Sequence, residues 1–360
     1  MIRGVCCRVL ASHDTPHVFK YNLFMQVKTN HLFLACFIVL ALTGCRDKSR
    51  FKIKTTESRI DVKIKRFDQA LIQLDSKNPN AIKELYKQYP EFLPVYTSQI
   101  LDIQASDTSK IDSLFRQFSV DKQFSNVNKK TMETFSDVTD IEKSISDAYT
   151  YIRHYFPTAK LPEIYFYVSG FNRSVLMTDK FIGIGTDFYL GADYPPYKDI
   201  SYKYLLYNMR RECVATDIVS ATLFRMFVIN SSEDRLLEHM LFRGKVMYLL
   251  SVCMPDQTQA SIMGYKPEQM EWCLKFEKDI WATMLDHKDL FSSDSQLIHK
   301  YLNDAPFTAP ISQDSPGRLG TWIGLQIIES YMQSHPEIDL PTLMWESNYQ
   351  KILQNSGYRP

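Results

Sequence analysis

Glu163-Ile164-Tyr165-Phe166-Tyr167-Val168 is the stretch on which the fold class turns. An unbroken run of β-branched and aromatic residues marks a buried strand. Ser169-Gly170-Phe171-Asn172 then reads as a turn. Phe181-Ile182-Gly183-Ile184-Gly185-Thr186-Asp187-Phe188-Tyr189-Leu190 reads as the returning strand, running on into a loop. Almost everything outside this pair has helical spacing. The expectation is an α+β fold, predominantly helical with a small sheet.

Working outward, Arg59 to Lys65 alternates Ile60, Val62 and Ile64 with polar neighbours, which predicts a short half-buried strand. Helical faces follow from Phe67 to Leu74, from Asn78 to a stop at Pro90, from Phe92 to Ile103 with Pro94 in the first turn, and over 107–118. Residues 119–137 are polar and fit no single period. A further amphipathic helix runs from Val138 to Tyr155 and ends at Pro157. Downstream of the strands, the spacing predicts helices over 201–228, 233–252 and 267–287, one opening at Asp314-Ser315-Pro316, and a last one over 341–355 that stops at Gly357. No linker interrupts 59–360, so we expect a single domain with a helical first half (59–160) and a second half (161–360).

Before this domain, Lys28 precedes an apolar run from His31 to Leu42 that closes on Leu42-Thr43-Gly44-Cys45. A basic segment, a short apolar segment and small residues make a secretory signal. Ending on Gly-Cys gives it the form of a bacterial lipobox, in which the Cys45 thiol takes a diacylglycerol and further acyl chains such as palmitate. The run is too short to span a bilayer, which needs about 20 apolar residues. Met25 is the better start, so residues 1–24, with Cys6 and Cys7, read as a mis-annotated N-terminal extension. Residues 25–44 are then the signal peptide, and 45–58 a polar tether after lipidated Cys45. Arg46 rather than Asp follows the lipid-bearing Cys. By resemblance to known lipoproteins this favours an outer-membrane anchor, here taken as periplasm-facing.

The 360 residues carry a net charge of +1, which gives no basic footprint for nucleic acid. Beyond Cys45 only Cys213, Cys253 and Cys273 remain, too few for a disulfide scaffold.

Several stretches together resemble the gliding-motility lipoprotein GldB family. These are Ile164 to Asn172, Ile182 to Gly191, Tyr151-Ile152-Arg153-His154-Tyr155-Phe156-Pro157, Arg66 to Leu71, Gly320-Thr321-Trp322-Ile323-Gly324 and Ser356-Gly357-Tyr358. The resemblance implies an envelope lipoprotein with protein partners, tied to gliding motility or to secretion through the same machinery. The second half is also similar to zinc metallopeptidase-like (zincin-like) proteins. There, two His at i and i+4 bind Zn²⁺ and the Glu between them activates a water. This chain has no His between Tyr155 and Glu238, and Arg243 stands where the resemblance implies a third ligand. The expectation is a degenerate, pseudo-metallopeptidase scaffold with no catalytic residue, no metal and no cofactor beyond the lipid on Cys45. The alternatives are a metal-dependent hydrolase with atypical ligands, or a periplasmic peptide-binding, chaperone-like protein using a cleft beside 181–186.

Asp217 lies in the apolar text Cys213-Val214-Ala215-Thr216-Asp217-Ile218-Val219, and a carboxylate there needs a partner. Arg210, Arg211, Arg225 and Arg243 are the candidates. One reading is a remnant site in which Asp217 faces Arg243, with Arg210 nearby; the other is a structural ion pair. Cys213 and Asp217 stand one turn apart and could share a metal, although a buried Cys more commonly acts as a small hydrophobe. Glu238-His239 reads as partly solvated, with a metal role as the alternative, and His154 as a surface or satisfied His rather than a base. The loop bearing Asp187, Tyr189, Asp193, Tyr194 and Tyr197 offers aromatic anchors for a protein partner, or else tyrosines that cover the strand end.

Overall fold

The computed structural model describes residues 48–53, 59–75, 77–78, 80–103, 108–120, 122–231 and 233–360. The extension, the signal peptide and Cys45 lie outside them. Residues 1–50 and 51–360 cluster as separate units, and the second contains every element that follows.

Its centre is a four-stranded sheet: β1 (Ile64–Arg66), β2 (Glu163–Tyr167), β3 (Val175–Met177) and β4 (Phe181–Gly185), in the order β1-β2-β4-β3. β2 runs parallel to β1 and β4, with Ile164 beside both Ile64 and Ile182, and β3 closes the far side antiparallel to β4. Successive side chains of a strand point to opposite faces. Ile164, Phe166, Ile182 and Ile184 therefore enter one core, while Tyr165, Tyr167 and Phe181 enter the other.

The tyrosine face is covered by α1 (Phe67–Ile72), α2 (Ala81–Gln88), α3 (Phe92–Gln99) and α4 (Thr108–Val120). Their Phe67, Leu85, Phe92, Leu93, Tyr96 and Phe115 are buried there. Phe92 stacks on Tyr165 with centroids 4.6 Å apart, and the Tyr96 hydroxyl donates to Val168 O at 2.8 Å. Gly183 makes room for this face, because a Cβ there would press on the rings of Tyr167 and Phe92.

The isoleucine face packs on the larger core. It is built from α5 (Lys122–Thr134), α6 (Thr139–Tyr155), α8 (Val214–Met226), α9 (Leu236–Cys253) and α13 (Leu319–Ser334), with α7 (Tyr197–Ile200), α10 (Gln259–Met263), α11 (Pro267–Asp286), α12 (Ser295–Leu302), α14 (Leu340–Trp345) and α15 (Tyr349–Ser356) around them. The expected α+β class, mostly helical with a small sheet, is what forms.

The elements differ from the sequence expectations in several places, most of them set by contacts distant in the chain. Residues 59–63 are extended but outside the sheet, because the N–H groups of Ile60 and Val62 donate to Thr150 Oγ1 and Ser146 Oγ of α6. The polar segment 119–137 forms α5. β3 has no clear sequence signal. The helix expected over 201–228 begins only at Val214, since Gly191 N donates to Met209 O at 3.1 Å and Leu190 bridges Arg210, a pairing that splits the preceding segment into the short 3-10 turns Leu206–Asn208 and Arg211–Cys213. The last helix breaks at 346–348. The buried Lys245 amine takes the carbonyls of Met344 and Glu346 at 3.2 and 2.8 Å, and Asn348 caps the new start by accepting from Lys351 N.

Candidate functional site

The C-terminal end of β2 and β4 carries the polar residues. Asp187 follows β4 directly and is fully buried. Its carboxylate accepts from Ser169 N at 3.0 Å, from Ser169 Oγ, and from Phe171 N at 2.6 Å. It thereby fixes the turn in which Gly170 and Phe171 both take positive φ. Burial pushes this carboxyl upward, and the donated N–H and O–H groups pull it back. Tyr197 is also buried, donating to Asp187 O at 2.7 Å and accepting from Leu190 N.

Tyr189 is 4% exposed, and its hydroxyl donates to Asp217 Oδ2 at 2.8 Å. Asp217 sits in the first turn of α8, enclosed by protein yet still touched by solvent. Burial raises its pKa to about 6, against the Tyr189 hydrogen bond and the charge of Arg318, with Asp304 adding to the rise. One turn back, burial and the Asp217 charge push the Cys213 thiol up to about 11, against the opposing charge of Arg210.

The expected pairing of Asp217 with an arginine is corrected. Arg243 donates to Leu302 O at 2.7 Å, and burial and the nearby Arg318 lower its pKa. Arg210 lies over the Tyr207 ring at 3.9 Å and donates to Tyr207 O. Arg211 pairs with Asp140 at 2.6 Å, and Arg225 donates to the carbonyls of Asp179 and Lys160. All four candidates are committed elsewhere, largely to backbone carbonyls. The partner is a tyrosine, and the cation whose field reaches Asp217 is Arg318.

The loop is corrected in the same way. Asp187, Tyr189 and Tyr197 are interior and cannot anchor a partner, whereas Asp193 is exposed and Tyr194 half-buried. The loop does wall a cleft of about 490 Å³, with Leu190 to Asp193 on one side and Lys130, Arg210, Arg211 and Glu212 on the other. The cleft expected beside 181–186 is not available, because β4 is hydrogen-bonded on both edges, to β2 and to β3.

Sequence reasoning missed Arg318, Asp304 and Lys130, which lie far from Asp217 and the loop in the chain and carry no local signal. Glu238 accepts from Arg235 N at 2.6 Å at the start of α9, and His239 contacts Asp234 at 2.6 Å. Among the described residues no group of three His, Cys, Asp or Glu is placed to hold a metal ion. Cys213, Cys253 and Cys273 are free thiols. No described helix is long and apolar enough to cross a membrane.

Fold and site together define a mostly helical α+β protein with a charged cleft beside a small sheet, and with no metal-ligand cluster among its described residues. The chain belongs to the gliding motility protein GldB family, whose model matches residues 48–360. Searches of curated proteins and of solved structures return no match.

Proposed function

We propose that the protein is a lipoprotein anchored through Cys45 to the periplasmic side of the outer membrane. It serves as a non-catalytic component of envelope machinery linked to gliding motility or to the secretion associated with it. The observation that carries this reading is where the family match begins: residue 48, three positions past Cys45 of Leu42-Thr43-Gly44-Cys45. The Asp217 site supports the non-catalytic part. Its carboxylate is held by Tyr189, and Arg243, which stands where the resemblance implies a ligand, is turned to the Leu302 carbonyl. Charge in the loop cleft suits binding of a polar protein surface rather than bond cleavage.

Cys45→Ala tests the anchor. The variant should lose its acyl mass and move from the outer-membrane fraction to the soluble periplasmic fraction, with loss of gliding or secretion. A variant that keeps its membrane fraction and its function would overturn the reading.

A further inference from the structure

The chain enters its folded unit at Phe51, which is 6% exposed. Phe51 meets the rings of Tyr155 and Tyr248 edge-on at 6.0 and 6.4 Å, and Tyr155 Oη donates to Phe51 O at 2.7 Å. Tyr155 also lines an open groove of about 430 Å³ between the turn after α6, the end of α8 and α14. On the groove stands Trp345, 70% exposed, with its ring edge against Phe227 at 5.6 Å. Val228, next in the chain to Phe227, is 79% exposed. Lys160 lines this groove and is exposed, and Lys52, next in the chain to Phe51, is exposed too; neither is in an ion pair among the described residues. The stretch from Tyr151 to Lys160 contains no acidic residue.

We propose that this face is where the folded unit rests on the phospholipid surface that carries its anchor, with Trp345 and Val228 in the headgroup layer and the basic side chains against lipid phosphates. The inference rests on lipidation at Cys45. The tether expected over 45–58 is cut short because Phe51 is already in the core: five residues lie between it and Cys45, and at full stretch the link spans about 20 Å. A unit of roughly 310 residues is about 50 Å across. The tether is therefore shorter than half the body it holds, and the entry side must turn to the bilayer. On that side the structure exposes a tryptophan and a valine beside cations that have no ion-pair partner among the described residues. Indole rings favour the headgroup level, and cations favour an anionic leaflet.

The test uses the acylated chain in vesicles of phosphatidylethanolamine and phosphatidylglycerol with brominated acyl chains. Tryptophan emission should be quenched in the wild type and in a Trp272→Phe control, and Trp345→Phe should remove most of that quenching. A vesicle-bound chain whose quenching is absent, or does not depend on Trp345, overturns the docking face while leaving the lipoprotein reading intact. A chain that carries no lipid at Cys45 and does not bind the vesicles overturns both.

Discussion

At the scale of single residues, Asp217 shows how an apolar surrounding sets a carboxyl group. Its pKa of about 6 lies some two units above the ordinary value, with burial as the leading cause. A carboxyl whose folded pKa is raised contributes stability in full below the unfolded pKa, and that contribution is lost as pH rises through the folded one. The window is therefore about pH 4 to 6, and the loss is up to roughly 3 kcal/mol. Asp217→Asn keeps an oxygen for the Tyr189 hydroxyl and has no charge to desolvate. Urea denaturation of both proteins at pH 4 and pH 7 should show the variant gaining on the wild type as pH rises. Asp187 is raised in the same direction but is common to both proteins, so the difference isolates Asp217. Parallel pH profiles would contradict the assignment. The sequence made the need for a partner at Asp217 legible, since a carboxylate in apolar text must be satisfied. It could not name Tyr189, because that choice depends on where the chain leaves β4. It also favoured arginines, whose guanidinium groups are largely spent on backbone carbonyls that no pattern marks.

At the scale of elements, the glycines of Gly320-Thr321-Trp322-Ile323-Gly324 acquire a physical reason. Gly324 of α13 meets Met240 O of α9, and Gly244 of α9 meets the Gly324 carbonyl, so the two backbones touch where they cross. Gly320 lies against Tyr301 and Leu302 of α12. A Cβ at Gly324 would collide with backbone, which cannot swing aside as a side chain can. Gly324→Ala should therefore cost about 3 kcal/mol by forcing the helices apart. The measurement is a lower urea midpoint with an unchanged m-value. An unshifted midpoint would mean that the helices separate without loss. Long helices with apolar faces were legible from their period, and so were β2 and β4 as strands; their pairing was not, because β4 does not return antiparallel after the turn at 169–172 but lies parallel to β2, with β3 between them in the chain. Segment 201–213 was not, although Leu205, Leu206 and Met209 fit a helix. Its backbone is claimed by Leu190 and Gly191 from the loop, and such long-range claims override local spacing. The same holds at 346–348, where Lys245 reaches across from α9 to take two carbonyls.

At the scale of the whole molecule, the sheet serves as a partition between two cores. β4 has partners on both edges, and its two faces are sealed by Phe92 and the tyrosines on one side and by the isoleucine core on the other. The polar residues at its end are spent on holding a turn and a loop. Among the described residues no ligand cluster is built into the fold, unlike proteins whose ligand set is part of their folding free energy. The expected result is near-zero zinc by elemental analysis of protein purified without added metal, and a Tm that EDTA leaves unchanged. Both readouts are needed, because a metal that bound only the native state would raise Tm by mass action even at a weak site. About one zinc per chain, or a Tm that falls on chelation, would mean that donors outside the described residues, or a rearranged Asp217 site, complete a ligand set. Hydrolase chemistry would then replace the binding role as the leading account of the cleft.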